Sequence, residues 1–110
     1  IIRAMPNTPA AIGRGITAIV GNTHAGARAL DMAELLLSAV GDVVRVDSED
    51  QMDAVTAVSG SGPAYVFHLI EAMAEAGENL GLPRDLSLQL ATATVAGAPA
   101  MVISNPSSPV

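Results

Sequence analysis

The residues best suited to chemistry in this chain are Ser59, Gly60, Ser61 and Gly62, which stand directly before Pro63-Ala64-Tyr65 and a long run of apolar residues at helical spacing. Proline in a first helical turn has no amide hydrogen to leave unpaired, and its φ is already helical. Small residues just ahead of it expose amides and hydroxyls at the positive end of the helix dipole, where a carboxylate or phosphate is favoured. The same glycines also suit a turn in which two backbones simply pack closely. A serine nucleophile is not indicated, because Gly60-Ser61-Gly62 lacks the G-x-S-x-G order and no base and orienting acid accompany it. The two imidazoles, His24 and His68, lack metal-ligand spacing, so no metal is expected. His24 is expected at the surface, and His68, beside Phe67, Leu69 and Ile70, in a core or interface. The carboxylates Asp47, Glu49, Asp50 and Asp53 have neither EF-hand spacing nor its glycine, and suit a solvated first helical turn.

Composition narrows the function further. Five cations, all arginine, face 11 acids for a net charge of −6, and no basic cluster exists. Nucleic acid and anionic membrane surfaces are disfavoured on that ground. The absence of cysteine removes disulfides and thiolate chemistry and fits a cytoplasmic protein. From Leu86 to Val110 no residue is charged, yet Gln89, Thr92, Thr94, Pro99, Asn105 and Pro106 interrupt the run. Burial at a subunit interface is expected there, rather than a membrane span. A chain of 110 residues that begins Ile1-Ile2 and stops at Val110 without a helix-ending signal reads as a piece of a longer protein.

The elements that must position these groups follow from periodicity. Ile1–Met5 is predicted as a strand, then Pro6-Asn7-Thr8-Pro9 as a rigid loop, because both prolines fix φ and restrict their predecessors. Gly13 and Gly15 mark a turn, and Ile16–Val20 is a second strand. A helix is predicted over 24–40, with Thr23 as N-cap and Gly41 as left-handed C-cap. A third strand follows at 43–46. A helix from Pro63 to Leu80, striped by Val66, Leu69, Ile70, Met73, Gly77 and Leu80, ends at Gly81. The next begins at Arg84-Asp85, carries Leu88, Ala91, Val95, Ala98 and Val102 on one side, and should bend or break at Pro99. The fold class is therefore an α/β segment, the closing part of an open sheet, followed by an all-α, mostly helical part.

Ile2-Arg3-Ala4-Met5-Pro6-Asn7-Thr8-Pro9, Glu34–Gly41, Ser59–Tyr65 and Gly81-Leu82-Pro83-Arg84 stand in an order and spacing that resemble pyrroline-5-carboxylate reductase over essentially the whole chain. The resemblance implies that 1–47 is the C-terminal part of a Rossmann-like NAD(P)-binding domain and 48–110 a truncated helical dimerisation and substrate domain. It implies NAD(P)H-dependent reduction of 1-pyrroline-5-carboxylate to L-proline, the last step of proline biosynthesis, by a cytoplasmic homodimer or larger homo-oligomer. Ser59, Gly60, Ser61 and Gly62 are the implied substrate-binding residues, and Asn7 the implied cofactor contact. NADP or NAD would be held mainly by residues upstream, since no G-x-G-x-x-G is present. The family's Ser-Pro-Gly-Gly-Thr segment, with its threonine, would lie beyond Val110, so no catalytic residue is assigned and the 110 residues alone are expected to be inactive. The family's His-Pro pair aligns with Asn105-Pro106 here, and Ser107-Ser108-Pro109 departs from its pattern. Two other readings are a related imine or hydroxyacid reductase and a non-catalytic helical oligomerisation module.

Overall fold

The computed structural model describes residues 1–104. Three strands form one sheet in the order β1-β2-β3: Ile2–Met5, Gly15–Gly21 and Gly41–Arg45. β1 runs antiparallel to β2, with Ile2 opposite Gly21 and Met5 opposite Ala18, whereas β3 runs parallel to β2, with Gly15 opposite Gly41. The parallel pair is joined by the helix α1, Ala27–Leu37, the crossover that such a pair requires. β2 is the central strand, and Thr17, Ala18, Ile19 and Val20 are buried, on both of its faces. Ala18 and Val20 pack with Met52, Met5, Val46 and Val55 on one side. Thr17 and Ile19 point to the other, where Gly21 lies against Ala25 and Leu30.

Three local details depart from the periodicity, each for a visible reason. The loop after β1 coils into a 3-10 helix, Thr8–Ile12, closed by Gly13 in the left-handed conformation at φ 73°. α1 starts at Ala27 with Gly26 as N-cap, not at Thr23. Asn22 wins the local competition: its Oδ1 accepts the His24 amide at 3.0 Å, and its carbonyl accepts the Ala25 amide at 3.1 Å, which fixes a turn where the helix would have begun. Gly41 opens β3 instead of capping α1, whose chain tightens into a 3-10 turn over Ser38–Val40. Any Cβ at Gly41, where φ is 150°, would collide with the Gly15 carbonyl.

After β3 the chain becomes helical. Ser48 caps a 3-10 turn, Glu49–Gln51, in a capping box with Gln51, and the acids Glu49 and Asp50 occupy its first turn as expected. It continues as α2, Met52–Val55, then as a π turn, Thr56–Gly60, and finally as α3, Gly62–Asn79. Backbone contacts divide the chain into two compact units, Ile1–Pro63 and Ala64–Val110.

In the second unit, α3 and α4 (Arg84–Ser104) form a helical hairpin. α3 ends in a Schellman motif around Gly81, φ 105°: the Gly81 amide bonds the Glu78 carbonyl at 2.9 Å and the Leu82 amide the Gly77 carbonyl at 3.0 Å. Small residues let the helices touch. Ser87 Oγ donates to the Ala74 carbonyl at 2.6 Å, and Ala74, Ser87 and Ala91 are buried. Arg84 bridges back to Glu78 at 2.9 Å and Glu71 at 3.1 Å, and these bonds raise its pKa, Glu78 first. α4 passes through Pro99 without interruption, so the predicted break there does not occur. One lost amide bond among small neighbours, Gly97, Ala98 and Ala100, is absorbed by the rest of the helix. The Asn105–Pro109 segment lies outside the described residues.

Candidate functional site

Asn7 sits between β1 and the 3-10 helix in extended conformation, φ −137° and ψ 167°. Its Oδ1 accepts the amide of Ile16 at 3.0 Å in a half-buried position. That bond fixes which end of the side-chain amide points inward, because an N–H requires an acceptor. The Asn7 NH2 group therefore keeps its two donors for another partner. Asn7 thus ties the loop to the central strand and presents a polar donor beside it.

The Ser59–Gly62 segment is not the open turn that its composition suggests. Ser59 and Gly60 lie within the π turn, where the Ser61 amide bonds the Thr56 carbonyl at 2.7 Å and Ser59 Oγ donates to the Val55 carbonyl at 3.1 Å. Pro63 is the physical cause. In an unbroken α-helix, its ring would clash with the Ser59 carbonyl, and it has no amide to offer that oxygen. The helix widens ahead of it and restarts at Gly62. Of the amides expected to face an anion, that of Ser61 is consumed. Gly62 opens α3 directly after the π turn.

The two motifs meet in space. A Cβ built on Gly60 would lie 3.7 Å from Met5 Sδ, so the end of β1 that leads into Pro6-Asn7 passes directly by the π turn. The glycines themselves are informative. Neither Gly60 nor Gly62 has positive φ. At Gly60 a methyl would make ordinary contacts, the nearest at 3.5 Å to the Thr56 methyl, and at Gly62 it would meet no described atom within 4 Å. Close packing within the chain therefore does not demand glycine at either position. By contrast, Gly15, Gly41 and Gly77 have neighbours that a Cβ would strike.

Beside the segment, an apolar hollow of about 360 Å³ opens between the sheet and the helical run, with Ile16, Val44, Val46, Val55, Val58 and Ser59 on its walls. The remaining polar candidates lie elsewhere. His24 is exposed, as expected. His68, expected in a core or interface, is exposed in the single chain, which excludes the core; it borders a shallow depression with Tyr65, Leu69 and Ala72 on α3. Arg3 pairs with Glu49, and Arg45 with Asp31 and Glu34 at 2.7 and 3.0 Å. The bonds to Asp31, then Glu34, raise the Arg45 pKa, so these surface arginines brace elements rather than await an anion. Sequence reasoning missed Thr56 as the acceptor that closes the π turn. The one available signal was the four-residue interval from Ser59 to Pro63.

Comparison with known proteins shows which family this chain is similar to. The model of the pyrroline-5-carboxylate reductase dimerisation family matches residues 49–110. A pyrroline-5-carboxylate reductase from Pseudomonas aeruginosa is 47% identical over 109 residues, covering 99% of this chain and 40% of the relative. One from Synechocystis is 56% identical over 97 residues, covering 88% of this chain and 36% of the relative. The crystal structure of Plasmodium falciparum pyrroline carboxylate reductase with NADP bound superposes with a TM-score of 0.91 at 33% identity, over 99% of this chain and 44% of that one. The chain thus spans about 40% of the length of the relatives it matches.

Proposed function

The chain belongs to the pyrroline-5-carboxylate reductase family, and we propose that it works as part of a longer reductase that converts 1-pyrroline-5-carboxylate to L-proline with NADPH or NADH. The observation that carries this reading is Gly62. Its Cβ position meets no described atom within 4 Å, and the backbone there is ordinary. Glycine without an internal reason is explained by a ligand that approaches the backbone closely.

In this reading the Gly62 amide and the Ser61 hydroxyl hold the substrate carboxylate at the start of α3, where the helix dipole favours negative charge. Ser59 and Gly60 form the adjoining wall. Asn7, anchored by Ile16, offers its NH2 donors toward the nicotinamide end of the cofactor. The residues present suit that end alone, because no glycine-rich strand-to-helix turn is available here for the pyrophosphate. When bound, the reduced nicotinamide supplies a hydride. The chain's own task is to anchor one carboxylate and orient the imine carbon, which is positioning rather than acid–base work. Residues 1–47 are assigned to the nucleotide-binding domain and 48–110 to the dimerisation and substrate domain.

A homo-oligomer is part of the same proposal. The family match carries dimerisation in its description, and α4 is long and apolar enough to cross a membrane by length and composition. Its Leu90, Met101 and Ile103 remain half or more exposed. A second copy of the chain is the proposed cover for these residues, and a cytoplasmic location goes with it.

Gly62→Ala in the longer reductase tests the site. Alanine is the better helix former, so thermal stability should hold or rise slightly, while KM for pyrroline-5-carboxylate should rise about tenfold or more through loss of a charge-assisted contact. Unchanged KM in a stably folded variant would remove Gly62 from the substrate site.

A further inference from the structure

The exposed apolar surface of α3 contains one group that gains a charge near neutral pH, and that group is His68. We propose that protonation of His68 weakens the association of two copies of this chain, an inference that rests on the homo-oligomer proposed above.

Residues 49–110 match a dimerisation family, and the first half of α3 has the surface for such a contact. Tyr65, Val66, Phe67 and Leu69 are 41 to 63% exposed around His68, which lies in a depression with Ala64, Tyr65, Leu69 and Ala72. Contiguous apolar surface of this kind marks an interaction site. From Ala54 to Ile70, and again from Leu86 to Val110, the sequence has no acid, lysine or arginine. Covering a neutral imidazole there costs little, whereas an imidazolium loses its hydration and finds no anion in exchange. Imidazole is the side chain that changes charge between pH 5 and 8.

The charged neighbours do not offset that cost. The nearest on α3 is Glu71, both of whose carboxylate oxygens accept from Arg84 Nη2 at 3.1 Å. Glu78 holds the same arginine at 2.9 Å, and Glu75 lies two turns along the helix from His68. Tyr65 is a phenol, and phenols carry no charge in this pH range. On α4 the only charges are Arg84, held by those two glutamates, and Asp85. The helices meet at Ala74, Gly77 and Ser87, and the depression at His68 is lined by α3 alone. General electrostatics acts the other way. Each copy carries a net charge of −6, so acid lowers the mutual repulsion and by itself strengthens association.

The test follows subunit dissociation of the longer reductase by fluorescence-detected sedimentation through serial dilution at pH 8 and pH 5.5. The expected result is a dissociation constant about tenfold or more higher at pH 5.5, since each dimer covers two such rings. His68→Gln keeps a polar side chain without a titrating charge. It should associate as the parent does at pH 8 and should not weaken at pH 5.5. His68→Leu gives the same comparison if the glutamine variant does not fold, and His24→Gln should retain the parental pH dependence. Unchanged or tighter association of the parent at pH 5.5, or equal weakening in His68→Gln, would overturn the proposal. A parent that is monomeric at pH 8 would instead sink the homo-oligomer reading, and the parental measurement alone shows which of the two has failed.

Discussion

At the scale of single residues, the glycines separate into those the fold needs and those it does not. Gly41 is required by sterics: its φ is 150° and the Gly15 carbonyl occupies the Cβ position. Gly41→Ala should cost ~3 kcal/mol or more in a urea titration, because backbone rather than a movable side chain must yield. Gly62 has no such constraint, and its replacement is expected to touch activity alone. Asn7 lies between these cases. Asn7→Ala should cost ~1–3 kcal/mol by orphaning the half-buried Ile16 amide and should also raise KM for NADPH. A stability loss with unaltered KM for NADPH would reduce Asn7 to a brace. The sequence pointed to these residues because glycine, serine and asparagine in proline-fixed surroundings are unusual. It could not say which glycine was steric, since that depends on a strand 26 residues away in the chain, Gly15 to Gly41.

At the scale of elements, the strands and the two long helices were legible from periodicity and from the Gly81-Leu82-Pro83 stop. The ends were not. α1 begins late because Asn22 captures the His24 amide, a contest between a side chain and a cap that periodicity does not register. The π turn was hidden for a related reason. Residue types there read as a loop, whereas the bonds of Ser61 to Thr56 and Ser59 to Val55 keep the chain helical. In the hairpin of α3 and α4, the contact depends on small residues rather than on the bulky stripe. A Cβ at Gly77 would strike Ser87 Oγ, which is held by the Ala74 carbonyl. Gly77→Ala should therefore destabilise the protein by ~1–3 kcal/mol through loss of that buried bond and local overpacking. The double variant Gly77→Ala with Ser87→Gly should recover part of the loss, and chemical denaturation of the two would show it. Equal stability of the two variants would mean that the helices separate rather than clash.

At the scale of the whole molecule, the first unit closes around β2, but the second keeps most of its large apolar side chains outside. Leu80 is 88% exposed and Ile103 80%. Bulky residues exposed on both helices, with only Ala74, Ser87 and Ala91 buried among the described residues of that unit, describe a hairpin that expects a partner. Leu90→Glu together with Met101→Glu should shift the longer reductase toward monomer in sedimentation and reduce turnover with it. Retention of the oligomer would place the interface elsewhere. The family could be read from four separated segments, since order and spacing survive where each motif alone is weak. The assembly could not, because an apolar helix face has the same pattern whether a core, a membrane or a second copy covers it. The central proposal is that these 110 residues carry part of an imine-reducing site and not all of it. The most direct measurement is NADPH oxidation with pyrroline-5-carboxylate, run in parallel on the isolated chain and on the longer reductase that contains it. Turnover by the longer protein and none by the isolated chain is the predicted result. Turnover by the isolated chain, or none by either, would contradict it.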